Sequence, residues 1–326
     1  AGAQGGNTVK MGQVLQAVRK QRDMYLATEL NPAADFVGQA GFIQYMTSPS
    51  QLLVNAMQTI MVAVPRMAGT YGAGRSIGAF RRAMTQFAQS GGDLLSERTP
   101  VNEDFRRALE ALRDDGTLDF TQVHDMLDLA QGDLAAMSGH WHTAKKVMSS
   151  FIHRSEVFNR QVTALAGMEL ALPGIRRKYG LSENQTLPDE AIAELARTAK
   201  QHTYDSHFVF SSSDKPGLLQ GAYRRLLFQF QHYRFNMLAM LARDIRDSFS
   251  GTPAEKQTAR RTLAYLIGTQ AALTGAAGTI MAPIAFAIAD MFRDDDDLLD
   301  SRTEFIRSTP QWLAHGLLSG VIDTGR

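Results

Sequence analysis

An uncharged stretch near the carboxyl end, from Thr262 to Ala289, most constrains what this chain can fold into. A helix rises about 1.5 Å per residue and needs roughly 20 residues to span the hydrocarbon core of a bilayer, so the stretch is long enough to cross one. Its content is less decisive, because it is rich in Ala, Gly and Thr and contains Gly268, Gly275 and Pro283. Small residues let a helix pack closely against another helix, in protein or in lipid.

Two interpretations of this stretch stay open. In the first, Leu263 to Thr274 and Thr279 to Ala289 are two short buried helices in the core of a soluble helical protein. In the second, the same residues pack against partners and are later inserted into a membrane, where Asp290 ends the apolar span. The candidate partner or membrane contacts are the large apolar residues of the stretch: Leu263, Leu266, Ile267, Leu273, Ile280, Ile284, Phe286 and Ile288.

Composition sets wider bounds. The chain has 326 residues, of which 44% are hydrophobic and 21% charged, so it can bury a core in one large domain or two smaller ones. The net charge of +1 creates no overall attraction to nucleic acid or acidic lipid, so any such contact must be local. The absence of Cys excludes disulfides, thiolate catalysis and Cys-ligated metal sites. The chain begins at Ala1 without a secretory signal pattern, and we expect it to be a piece of a longer protein.

Helix boundaries are marked by capping residues. Ser48 to Gln51 and Thr252 to Glu255 each place a hydroxyl at the N-cap, Pro at the first helical position and Gln or Glu at the third. Asn31-Pro32 and Leu172-Pro173-Gly174 predict helix ends, because the residue before Pro avoids the helical region. These signals predict two well-marked helix starts and two stops.

The dominant periodicity is helical, and no segment alternates as a strand would. We predict an all-α fold, a multi-helix elongated or irregular bundle with an Ala/Gly-rich apolar helical hairpin near the carboxyl end. Three segments are expected: a connecting segment with a helix (1–35), a main helical domain (36–217), and a long amphipathic helix with the apolar hairpin and tail (218–326). The predicted helices are Val9 to Leu30, Pro49 to Gly69, Ser76 to Ser90, Asn102 to Asp114, Thr121 to Ala130, Ala144 to Leu172, Pro188 to Thr203, Leu218 to Phe249, Pro253 to Thr274, Thr279 to Phe292 and Pro310 to Leu318.

Residues that could carry chemistry are few. His140 and His142 are the nearest approach to a metal pair, but no carboxylate lies at a recognised ligand spacing. The glycines from Gly69 to Gly78 lack the order of a phosphate loop and predict a turn. The run Asp294 to Asp297 lacks the closing Glu of a calcium loop and predicts a solvated acidic patch. We expect no enzyme, no metal and no cofactor in this chain.

Basic residues are concentrated between Trp141 and Leu181, a segment that contains seven Lys or Arg and only two Glu. Such a cluster predicts phosphate contact, or equally a solvated helix face with ion pairs. The candidate phosphate contacts are Lys145, Lys146, Arg176, Arg177 and Lys178.

Three stretches of the chain, taken in order, carry a family resemblance. The first is Ser48 to Gln58, leading to Val64-Pro65 and Tyr71-Gly72; the second runs from Ser155 to Arg160 through Tyr204-Asp205 and Asp214 to Pro216 to Leu227 to Gln231; the third is the apolar hairpin followed by Trp312 to Gly316, Gly320, Ile322-Asp323 and Arg326. Together they resemble the helical region near the end of very large bacteriophage internal virion, or polyvalent, proteins, which include giant virion-packaged RNA polymerases. These proteins are packaged in the capsid and ejected with the DNA.

The resemblance implies a structural role. We expect a non-catalytic assembly module that lies in the virion and then in the host cell envelope. Its expected partners are portal, tail or other ejection proteins and further copies of itself, with the membrane as an additional contact. The alternative is a DNA-contacting protein that lines the ejection path with the basic cluster.

Overall fold

In the computed structural model, the chain is described at residue 19 and over residues 57–96, 101–118, 139–207, 232–279, 281–291 and 300–317; for 139–152, 232–234 and 284 this covers the backbone only. These residues form helices joined by turns and include no strand, which confirms the predicted all-α class. The chain divides into two compact units, one of 1–46, 121–148 and 209–233 and the other of 47–120, 149–208 and 234–326. The predicted segment boundaries at residues 35 and 217 lie outside the described residues.

Ten α-helices run through the described residues. They are α1 (Val64–Tyr71), α2 (Ala73–Gln89), α3 (Glu103–Asp114), α4 (Gly139–Lys178), α5 (Asp189–Ser206), α6 (His232–Ser250), α7 (Pro253–Thr274), α8 (Ala282–Asp290), α9 (Ser301–Ser308) and α10 (Gln311–His315). A π-helical segment, Thr59–Ala63, leads directly into α1, and a short 3₁₀ helix, Ala276–Gly278, follows α7.

The core of the second unit is built from α1, α2, α3, the carboxyl-terminal half of α4, and α5. Phe80, Leu109, Leu165 and Leu195 are fully or almost fully buried there, and each comes from a different helix. Phe87 and Phe158 meet edge to face beside this cluster, with ring centroids 5.3 Å apart. The second half of α4 supplies more of the core than its weak overall amphipathicity indicates, because it is surrounded by neighbours and buried on several faces.

The prediction of a turn over Gly69 to Gly78 is wrong. Only Gly72 leaves the helical conformation, with φ of 90°, and it separates α1 from α2. Gly69 lies inside α1, where a Cβ would overlap Thr262 of α7. The missing side chain therefore lets α1 and α7 cross closely, which is a packing role and not a turn role.

The predicted helix stop at Leu172-Pro173-Gly174 is also wrong, because α4 continues through Pro173 to Lys178. Proline removes one backbone donor from the helix, at a local cost. The segment after it is held by Ile175, which is buried in the core, and by the Arg176 guanidinium, which donates to the carbonyl oxygen of Gln185 at 2.9 Å. Tertiary contacts thus continue a helix that the local sequence would end.

The predicted start of α7 is confirmed. Thr252 is its N-cap, and its hydroxyl accepts from the backbone N–H of Glu255, while the Glu255 carboxylate accepts from the Thr252 N–H at 2.7 Å. Both halves of a capping box are present, and Pro253 occupies the first turn. The predicted stops and caps at Asn31-Pro32 and Ser48 to Gln51 lie outside the described residues.

The carboxyl-terminal helices gather around the end of α7. The predicted helix from Thr279 begins later, at Ala282, and the predicted helix from Pro310 is the short α10. Helix α9 was not predicted from the sequence. Its N-cap Asp300 accepts a hydrogen bond from the Thr303 N–H at 2.6 Å. Gly275 and Gly316 touch backbone to backbone, and both have positive φ, so neither position admits a side chain.

Candidate functional site

Apolar side chains are exposed around the carboxyl-terminal end of α7. Helix α8 has the sequence APIAFAIAD, yet Ala282 is its only buried residue among those whose side chains are described. Ile288 is 51% exposed and Met291, just after the helix, is 80% exposed. We call the C-terminal apolar surface the set formed by Ile267, Ile288, Met291, Trp312, Leu313 and Leu317.

Specific contacts hold this surface in place. The rings of Phe286 in α8 and Phe305 in α9 lie 5.6 Å apart. The backbone N–H of Leu317 donates to the carbonyl oxygen of Ala272 in α7 at 3.0 Å, so the segment after α10 returns to α7. Trp312 and Leu317 are nevertheless 72% and 76% exposed. The backbone is fixed while large apolar side chains face solvent, which is the arrangement expected of a surface that binds another molecule.

The predicted contact residues separate into three groups. Ile267 and Ile288 are exposed and belong to the C-terminal apolar surface. Leu263, Leu273 and Phe286 are half-buried. Leu266 is fully buried, so it belongs to the interior and cannot contact a partner in this structure. Ile280 and the side chain of Ile284 lie outside the described residues.

The first interpretation of the uncharged stretch, two buried core helices, does not hold along its whole length. α7 contributes buried residues, as the first interpretation expects, whereas α8 is largely exposed. In the part of the chain that the structure describes, no helix combines the length and the apolar content needed to cross a bilayer.

The predicted phosphate contacts are partly occupied by carboxylates and carbonyls of the same chain. The ammonium of Lys178 lies 2.6 Å from the Glu194 carboxylate. Arg176 is largely buried, with its guanidinium 3.7 Å from the Asp104 carboxylate and 2.9 Å from the carbonyl oxygen of Gln185. Arg177 is exposed. The side chains of Lys145 and Lys146 lie outside the described residues.

A buried polar network, which the sequence analysis missed, lies where α4 meets the π-helical segment and the end of α5. The hydroxyl of Thr59 donates to the Asn159 side-chain oxygen at 2.7 Å. The Thr163 hydroxyl and the Nε2 of His207 are 2.7 Å apart. Arg160 donates to the carbonyl oxygen of Thr117 at 3.0 Å. Three separate segments of the core are therefore joined to α4 by polar contacts.

Two ionisable groups of this network are strongly perturbed. Burial raises the pKa of Glu156 to about 7, although the nearby Arg160 guanidinium acts in the opposite direction. The Oε2 atom of Glu156 is buried and accepts no hydrogen bond. Burial, and to a smaller extent the charge of Arg160, lowers the pKa of His207 to about 3. His207 is therefore neutral near pH 7, and about half of Glu156 carries a proton there.

A sequence signal for this network exists. Glu156, Asn159, Arg160 and Thr163 are spaced i, i+3, i+4 and i+7 and thus lie on one face of α4, within a segment whose other residues are largely apolar. Polar residues at that spacing can mark a solvated face as readily as a buried network. Only the position of α5 and the π-helical segment distinguishes the two cases.

The metal hypothesis gains no support from the part of the chain that is described. Residues 57–96, 101–118, 153–207, 235–279, 281–291 and 300–317 hold no group of three His, Asp or Glu side chains that could bind a metal ion. The side chains of His140 and His142 lie outside this part.

Comparison of the chain with protein-family models, with curated proteins and with solved structures finds no match.

Proposed function

We propose that the chain is a non-catalytic structural module of a bacteriophage virion protein that is ejected with the genome. It packs against portal, tail or other ejection proteins and against further copies of itself, and it engages the host membrane. The exposed C-terminal apolar surface carries this proposal, together with the family resemblance of the sequence.

The physical support is the free energy that this surface gains on being covered. Burial of apolar area contributes roughly 25 cal/mol per Å², and large aromatic and aliphatic side chains dominate the energy of interfaces. Trp312 and Leu317 are the most exposed large side chains after Met291 in this region. A residue exposed to that degree gains most of its transfer free energy when a partner excludes water from it.

Cross-linking from the C-terminal apolar surface tests the assembly role. A photoreactive phenylalanine analogue is placed at Ile288 or at Trp312 in the protein as it is packaged in the virion. We expect cross-links to a portal, tail or ejection protein or to a second copy. The matched control is the same analogue at Gln89, which is exposed at the end of α2. Cross-links no more frequent from Ile288 and Trp312 than from Gln89 would contradict the assembly role.

Vesicle flotation tests the membrane role. The 326-residue chain is expected to float with phosphatidylcholine vesicles, and Ile288→Glu with Trp312→Glu is expected to lower the floated fraction severalfold, because a charge in apolar surroundings is costly. If the chain does not float with vesicles but its cross-links persist, the assembly role stands and the membrane role is refuted.

A further inference from the structure

The turn between α6 and α7 carries a second exposed surface, which differs in chemistry from the C-terminal apolar surface. Residues 243–261 contain five Lys or Arg and three Asp or Glu. A cleft of about 490 Å³ lies against the first half of α7, and its described lining consists of Pro253, Lys256, Gln257, Arg260, Arg261 and Ala264. Lys256, Arg260 and Arg261 all contribute atoms to this lining, and no carboxylate belongs to its described part.

The carboxylates of this region are engaged elsewhere. Asp244 binds Arg66 of α1 at 2.9 Å. Asp247 binds its neighbour Arg246 at 2.9 Å. Glu255 is held in the capping box with Thr252. Within the described part of the chain, the three cations of the cleft consequently form no ion pair.

Apolar side chains lie beside these cations. The guanidinium of Arg260 donates to the carbonyl oxygen of Ser248 at 3.2 Å, which places the cleft against the end of α6. Phe249, the next residue, is 72% exposed, and Ile245, one turn earlier on α6, is also exposed. We call the tip surface the set formed by Ile245, Phe249, Lys256, Arg260 and Arg261.

We infer that the tip surface binds the anionic headgroups of a phospholipid membrane. Exposed aromatic and aliphatic groups beside unpaired cations match the boundary between acyl chains and phosphates, where apolar groups enter the boundary and cations stay at the phosphate level. Nucleic acid shares the phosphate but does not account for Ile245 and Phe249, whose apolar side chains face solvent together. This inference rests on the proposed membrane engagement and names the lipid chemistry that directs it.

The tip surface lies near the amino-terminal end of α7. α7 has 22 residues and is therefore about 33 Å long. Helix α8 follows the far end of α7, and the Debye length is about 8 Å at physiological ionic strength. Charges at the two ends of α7 are thus largely screened from each other.

Flotation with vesicles of two compositions tests the inference on the full chain. We expect phosphatidylcholine vesicles that contain phosphatidylglycerol to bind the chain more tightly than phosphatidylcholine alone. Lys256→Gln with Arg260→Gln and Arg261→Gln should weaken binding to the anionic vesicles about a hundredfold, since each cation near an anionic surface contributes roughly fivefold. Because Arg260 also contacts Ser248, Lys256→Gln with Arg261→Gln is measured as well and should weaken binding about 25-fold.

The matched control removes three cations elsewhere. Arg81, Arg113 and Arg197 are exposed, and their replacement by Gln changes the net charge by the same amount. This control should leave binding to anionic vesicles within about twofold of the unaltered chain, because the removed charges lie on α2, α3 and α5 and belong neither to the cleft nor to the tip surface. An equal loss in the control and in the tip variants would overturn the inference in favour of a general charge effect.

Further outcomes separate this inference from the proposed function. If the tip variants float with anionic vesicles as well as the unaltered chain does, while Ile288→Glu with Trp312→Glu abolishes flotation, the inference fails and the proposed function stands. If no vesicle binds the chain but cross-links from Ile288 persist, the inference and the membrane role fail and the assembly role stands. If the tip variants lose duplex DNA binding and keep vesicle binding, the tip surface is a nucleic-acid site and the inference is overturned.

Discussion

Glu156 and His207 lie in one buried network, but burial acts on their protonation in opposite directions. The neutral form of each is favoured, which means a protonated carboxyl for Glu156 and a deprotonated imidazole for His207. Their contributions to stability therefore change with pH in opposite senses. Between about pH 4.5 and 6.5 the two contributions partly offset each other.

Glu156→Gln tests the first of these contributions. The folded pKa of about 7 lies above the usual 4.5, so the stability from Glu156 is fully present below pH 4.5 and is lost as the pH rises to 7. The unaltered chain should lose about 3 kcal/mol more than the variant over that range. Urea unfolding at a series of pH values measures this. Parallel curves for the two proteins would show that Glu156 ionises normally.

His207→Gln tests the second contribution. The folded pKa of about 3 lies below the usual 6.5, so the stability from His207 is fully present above pH 6.5 and is lost as the pH falls towards 3. The unaltered chain should lose about 2 kcal/mol more than the variant between pH 6.5 and 5. Urea unfolding over the same series of pH values measures this difference in stability. His315→Gln is the control substitution, because His315 lies in α10, outside this network.

At the scale of elements, local signals predict a helix end where the residues that form it interact within one turn, and long-range packing can override them elsewhere. The capping box of α7 is predictable because Thr252, Pro253 and Glu255 interact within one turn. The passage of α4 through Pro173 is not predictable, because it depends on contacts of Ile175 and Arg176 with distant segments.

Among the predicted contact residues, burial could not be foreseen from the sequence. Leu266 and Ile267 are adjacent in an uncharged run, and the packing of α7, whose most extensive contacts are with α1, buries one and leaves the other exposed. The cations of the tip surface were missed for a related reason. Lys256, Arg260 and Arg261 become distinctive only when the structure pairs the neighbouring carboxylates with other groups.

The crossing of α1 and α7 leads to a prediction about two glycines. Gly69→Ala should destabilise the chain by about 1–3 kcal/mol, because the new methyl group overlaps Thr262 and forces the helices apart. Gly268→Ala in α7 is the control, since a Cβ there meets no atom within 4 Å and alanine favours a helix by about 1 kcal/mol. Thermal unfolding compares them. The packing argument fails if both substitutions stabilise.

At the scale of the whole molecule, the C-terminal apolar surface should govern association. Ile288→Glu with Trp312→Glu should shift the chain towards the monomer in sedimentation velocity, with unfolding free energy changed by less than about 0.5 kcal/mol, because both side chains are exposed. Gln89→Glu with Ala111→Glu adds the same charge at exposed positions of α2 and α3. A shift of equal size in this second pair would assign the effect to charge and not to apolar contact.

The backbones of Gly275 and Gly316 are in contact and hold together the two ends of the segment between them. The described residues between them include α8, α9 and α10, and this contact brings the two ends of the segment together beside α7. Opening this contact breaks the Leu317-to-Ala272 hydrogen bond and the packing of α10 on α7 and the 3₁₀ helix, and none of these residues belongs to the five-helix core. If the proposed ejection takes the chain through a narrow passage, we expect the segment between Gly275 and Gly316 to unfold before the five-helix core.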